Sequence, residues 1–170
     1  MPIFARFRSQ PVGVPPGLTC ISAFVLVKKE GSILLGKLTS PEEWFDEFSL
    51  YRDRPEAWMN KWRIPGSHLR QGEHPEDAAR RILEKQLGVG DFKLHLYQVQ
   101  SHTSTMRPGL EDIHWDICFI YDATTSQEPK PNQYFSEVSY FKAEDINIDE
   151  LGSQHGGIIP KLKDPKGRVN

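Results

Sequence analysis

The chain has 170 residues, 38% of them hydrophobic, with a mean hydropathy of −0.53, which suits one ordinary globular domain with its own core. No apolar run approaches the ~20 residues of a membrane-spanning helix, so no membrane partner is expected. A formal net charge of −2 gives no overall electrostatic reason to bind nucleic acid; only a local basic patch leaves that partner open, and it is not favoured.

Residues 1–17 contain Pro11, Pro15 and Pro16 and read as an irregular arm. Arginines near the start are not followed by an apolar stretch, so no secretory signal is expected and the location is expected to be cytoplasmic. Thr19–Lys28 and Ser32–Leu38 are strand-like runs separated by Glu30-Gly31, a predicted hairpin. Cys20 and Cys118 both lie in strand-like runs without Cys-x-x-Cys spacing, and are read as buried thiols of a reducing compartment. Ser40-Pro41-Glu42-Glu43 is a helix start: a capping serine, proline at the first position, then acids at the positive dipole end. Trp44, Phe48 and Tyr51 then share one helical face, Pro55 closes the segment, and Ala57–Trp62 suggests another short turn.

After extended Arg63–Gly66 and a polar loop, a helix is predicted over Pro75–Leu87. Pro75 opens it, Glu76 and Asp77 occupy its first turn, Ala79, Leu83 and Leu87 form its core stripe, and Gly88 suits its C′ position. Phe92–Ser101 and Asp112–Asp122 are further strands, the second alternating with Ile113, Trp115, Ile117, Phe119 and Tyr121 on one face. Ser136–Lys142 is a short strand, Ala143–Leu151 a turn leading into a short helix, and 161–170 a mobile tail. There is no internal repeat. The order, with 18–160 as the folded unit, fits an α+β class: an α/β/α sandwich in which helices cover a mixed sheet.

The stretch PGSHLRQGEHPEDAARRILEKQLGV resembles the box of the Nudix superfamily, G-x(5)-E-x(7)-R-E-U-x-E-E-x-G-U, where U is a bulky apolar residue. Glu73 and Arg81 fall on the first glutamate and the arginine, and Leu83, Gly88 and Val89 match the apolar and glycine positions. The first glycine falls on Ser67, with Gly66 beside it; the remaining glutamates are replaced by Ile82, Lys85 and Gln86. TCISAFVLVKKEGSILLGKL resembles the hairpin that opens such domains, WRIPG their entry into the box, and HWDICFIYDA and VSYFKAEDINIDEL their later strand and closing segment.

The resemblance implies a Nudix fold and, in the family, a magnesium-dependent pyrophosphohydrolase. The family's glutamates converge because i, i+3 and i+4 share a helical face, and magnesium needs such hard oxygen donors. Here that face would carry no carboxylate and one ammonium, which repels a divalent cation. No cofactor is therefore expected unless magnesium or manganese is held by relocated ligands, with Glu73 and the Glu111, Asp112 and Asp116 region as candidates. By resemblance, Glu73 and Arg81 are the candidate catalytic pair, Arg81 supporting the box carboxylate; a plain ion pair bracing loop against helix is the alternative. Lys85, with Arg63 and Arg70, could contact phosphate directly. Trp44 could stack on a base, or its face could pack on the sheet or on a second copy in a homodimer. The histidines show no metal-ligand spacing.

Three functions remain open: a binder of a nucleotide or nucleoside-diphosphate derivative with hydrolysis lost, an active pyrophosphohydrolase with relocated metal ligands, and an RNA- or protein-interaction scaffold. Restoring the box with Ile82→Glu, Lys85→Glu and Gln86→Glu is expected to regain metal binding if the rest of the site is intact.

Overall fold

A computed structural model describes residues 19–39, 60–104, 114–152, 158, 159 and 162. The N-terminal arm, the 40–59 segment with its aromatic face, and the tail lie outside the described residues. In chain order the elements are β1 (Thr19–Lys29), β2 (Ser32–Leu38), β3 (Trp62–Arg63), β4 (Gly66–His68), α1 (Pro75–Arg81), β5 (Lys93–Ser104), β6 (His114–Thr124) and β7 (Phe135–Lys142).

The β1–β2 hairpin forms as expected, with Lys28 opposite Ile33 and Lys29 opposite Ser32. Glu30 and Gly31 at its tip have φ of 50° and 78°, the left-handed pair that a tight hairpin turn demands. β1 then pairs in parallel with β6 and antiparallel with β4, while β5 adds antiparallel to β6. β2 carries β3 and β7, both antiparallel. The result is a mixed sheet with β5 at one end of its strand order.

Alternation along β1 divides the core in two. Ala23, Val25 and Val27 face the helix and pack with Ala79, Ile82, Leu83 and Leu87. Phe24 and Leu26 face the opposite side and pack with Ile64, Ile120, Ile146 and Ile159. A strand covered on both faces needs apolar residues at nearly every position, which is why β1 reads as a continuous run. β6 departs from the expected one-sided alternation for the same reason: Tyr121 is buried on the helix side, but Cys118 and Ile120 are buried on the other. Cys20 and Cys118 are both buried thiols outside any disulfide, as their setting suggested.

Two further elements differ from expectation. The short helix after Ala143 is two 3₁₀ turns, Ala143–Asp145 and Ile148–Glu150, separated by extended Ile146 and Asn147. The Asn147 side chain accepts from the Asp149 N–H at 3.1 Å, a local bond that starts a new turn instead of continuing the old one. The helix from Pro75 keeps α-winding only to Arg81, and Ile82–Gln86 is π-wound. Gly88, at φ 67°, closes it, and the Val89 N–H reaches back to the Leu83 carbonyl at 3.1 Å, as in a Schellman closure.

Candidate functional site

The loop before α1 is folded around a carboxylate. Gly72 takes φ 78°, the Glu73 N–H donates to the Arg70 carbonyl at 2.9 Å, and the Arg70 N–H donates to Glu73 Oε2 at 2.8 Å. His74 caps the helix, its Nδ1 accepting from the Glu76 N–H at 3.2 Å. Pro75 follows at the first helical position, where no N–H is needed.

Arg81 projects from the last α-turn onto this loop. Its Nε and Nη2 meet the Glu73 oxygens at 2.7 and 2.8 Å, a bidentate fork. Nη1 donates to Ser67 Oγ at 3.3 Å and Nη2 to the His68 carbonyl at 3.1 Å. The structure therefore brings Glu73 and Arg81 together and ties both to β4. Their side chains are only 12% and 10% exposed. Burial pushes the Glu73 carboxyl up, but the Arg81 hydrogen bonds, the Arg70 N–H and the two guanidinium charges together hold it below its ordinary value.

The substituted box positions do not share a face. Ile82 and Gln86 are fully buried, whereas Lys85 is exposed to solvent beside Glu84. Gln86 reaches β4: its Oε1 accepts from the Gly66 N–H at 3.3 Å, and its Nε2 donates to the Gly66 carbonyl at 3.0 Å. Gly66 is required there, because a Cβ would collide with the Phe24 ring. On the other side, Asn132 Nδ2 donates to the Gln86 carbonyl at 2.7 Å, while Asn132 Oδ1 accepts from the Tyr134 and Phe135 N–H groups. One amide chain thus ties β4, the π-turn and the start of β7.

These residues do not fit magnesium. An isoleucine, a glutamine whose oxygen already accepts from Gly66, and a solvent-directed lysine stand at the family's ligand positions. Among the described residues no group of three or more His, Cys, Asp and Glu side chains could hold a metal. Of the relocated candidates, Glu111 and Asp112 lie outside the described residues, and Asp116 sits on β6 opposite Cys20 and His102.

The other expected contacts are dispersed. Arg63 is buried on β3, and burial lowers its guanidinium pKa to about 10. It sits inside the fold, not on the surface patch expected from its place in sequence. Arg70 is exposed on the box loop, and Trp44 lies outside the described residues. Sequence reasoning missed Gln86 as a backbone clamp, Asn132 as its partner, and Ser67 as an acceptor for Arg81. The Pro131-Asn132 dipeptide, a turn signal whose side chain bonds two residues on, could have pointed to Asn132. Nothing in the sequence distinguishes a clamping glutamine from a surface one.

A family model described as the NUDIX domain matches residues 20–162. The nucleoside triphosphatase NudI of Escherichia coli K12 is 24% identical over 126 residues, covering 71% of this chain and 80% of that protein. Among solved structures, a MutT NUDIX hydrolase from Burkholderia pseudomallei superposes with a TM-score of 0.59 at 21% identity, over 85% of this chain and 96% of that one. The NUDIX domain of Shewanella oneidensis NrtR, crystallised with ADP ribose, gives 0.57 at 16% identity over 98% and 100%. A C. elegans Ap4A hydrolase gives 0.56 at 12% identity over 86% and 96%. With a family model matching most of its length onto this hairpin, box and sandwich, the chain belongs to the NUDIX domain family.

Proposed function

We propose that this protein binds a nucleotide or nucleoside-diphosphate derivative and that metal-dependent pyrophosphate hydrolysis through the box is lost. The observation that carries the second half is the complete burial of Ile82 and Gln86, with the Gln86 amide committed to the Gly66 backbone. A hydrated divalent cation has no carboxylate to meet there, and opening the position would break the helix–β4 tie. The first half is supported by the ligands named for relatives of the same fold, ADP ribose and Ap4A, and by the triphosphatase relative. Lys85 and Arg70, exposed on the helix and on the box loop, are the side chains proposed to meet phosphate.

The test is a panel of nucleoside triphosphates, ADP ribose and Ap4A, each with magnesium or manganese. Turnover should be absent, while one of these compounds raises the melting temperature; saturation at 100 times Kd would contribute about 2.7 kcal/mol. Metal-dependent product release that survives Lys85→Ala and Arg70→Ala would sink the reading in favour of relocated ligands. Neither turnover nor stabilisation would leave a scaffold.

A further inference from the structure

The end strand β5 pairs only with β6 among the described residues. Of the exposed large apolar side chains among those residues, three of four belong to it: Leu96 at 50%, Tyr97 at 42% and Val99 at 48%. Between Leu94 and the strand's end there is no Lys, Arg, Asp, Glu or Pro. Charges and prolines are the common devices by which open sheet edges avoid pairing with another chain. An edge this long, apolar and uncharged is suited to strand addition.

We propose that a second copy of this chain pairs antiparallel with β5 across a two-fold axis, making one sheet continuous through a homodimer. The argument for a second copy, and not an unrelated peptide, is that the strand is self-complementary in one register. A bulge between Leu96 and Gln98 inserts Tyr97 as an extra residue. Leu94 and Leu96 stand opposite Ala123 and Tyr121, and beyond the bulge Val99 stands opposite Phe119, so all three lie on the helix-facing side of the sheet. His95 and Gln100, opposite Asp122 and Cys118, lie on the other side. The inserted residue makes an antiparallel pairing of Leu96 with Val99 of the second copy match side for side. The same register sets His95 against Gln100 and Leu94 against Ser101, and the bulges of the two copies meet at the axis, Tyr97 against Gln98. No two permanently charged groups oppose each other: Lys93 falls opposite His102. Isologous pairing is also the commonest symmetry of homo-oligomers.

This surface is separate from the box, and the inference does not depend on the proposed function. The test is light scattering on the eluting full chain, at several micromolar concentrations, for three forms. The natural chain should elute as a dimer. Leu96→Lys with Val99→Lys should raise the dissociation constant about tenfold or more, with circular dichroism unchanged because both side chains are half exposed. Ile148→Lys alters the fourth exposed apolar residue, at 45%, and should leave the dimer intact. A monomeric natural chain, a dimer that survives the double lysine variant, or one that Ile148→Lys dissociates equally would each overturn it.

Discussion

Gln86 shows how one amide can take over the position of a carboxylate without taking over its chemistry. Its donor and acceptor both meet Gly66, so the free side of β4 is paired by a side chain where a neighbouring strand would otherwise stand. Gln86→Ala leaves a buried N–H and a buried carbonyl without those partners, at about 1–3 kcal/mol for each group. The expected outcome is a lower midpoint in urea with an unchanged slope; a midpoint within error of the natural chain would refute the clamp. Glu73 permits a second test at this scale. Its folded pKa lies below its ordinary value, so its stabilising contribution is complete above the unfolded carboxyl pKa of about 4.3 and fades as pH falls through the folded value. Glu73→Gln should therefore be less stable than the natural chain at pH 7, with the gap narrowing in acid. A gap constant from pH 7 into the acid range would show that the pair's charge contributes nothing. Both residues stand in the box, yet only the Glu73–Arg81 pair was legible beforehand, because its spacing is fixed by the motif. The Gln86 contact depends on a strand twenty residues away, and local pattern carries no sign of it.

At the scale of elements, the hairpin, the helix start and the later strands follow from short-range signals: a turn pair, a proline with acids, and alternation. What escapes is the helix's second half. At 3.6 residues per turn, positions 82, 85 and 86 would share a face; in the π-wound segment, Ile82 and Gln86 enter the core while Lys85 is exposed to solvent. Periodicity presumes the winding and cannot report a change in it. This reverses the expectation for the restored box. Ile82→Glu, Lys85→Glu, Gln86→Glu would place two carboxylates in fully buried positions, one against the Gly66 carbonyl that the amide now satisfies. Unpaired buried charges cost several kcal/mol each. The triple variant should lose its cooperative melting transition and fail to gain tight magnesium binding by calorimetry; a folded variant that binds magnesium would show that the metal site survives beneath its substitutions.

For the molecule as a whole, two layers of core meet across one strand, and the two buried thiols report on whether that arrangement opens. Cys20 and Cys118 are 1% and 4% exposed, on the face of the sheet away from α1. Cys20 Sγ lies 3.8 Å from Ser22 Oγ, and Cys118 stands opposite Ser22 in the β1–β6 register. Burial, then the Asp116 charge and the neighbouring Cys20, push the Cys118 thiol up to about 12. Because the thiolate is the reactive form, a thiol with that pKa is on the order of one part in ten thousand ionised at pH 8, before steric protection is counted. Its side chain is covered by the apolar cluster on that face, which includes Leu26, Ile120, Ile146 and Ile159. Exposing Cys118 therefore requires taking that cluster apart, and its members on β1 and β6 tie this opening to the central strands. Labelling with a chromogenic disulfide reagent should be slow in the native chain, and should reach two thiols per chain in denaturant. Its rate should rise with urea in parallel with the unfolding equilibrium, and Gln86→Ala should accelerate it by the factor that its loss of stability predicts. Rapid labelling of both thiols in the native chain would mean that the face away from α1 opens independently of the box-side core.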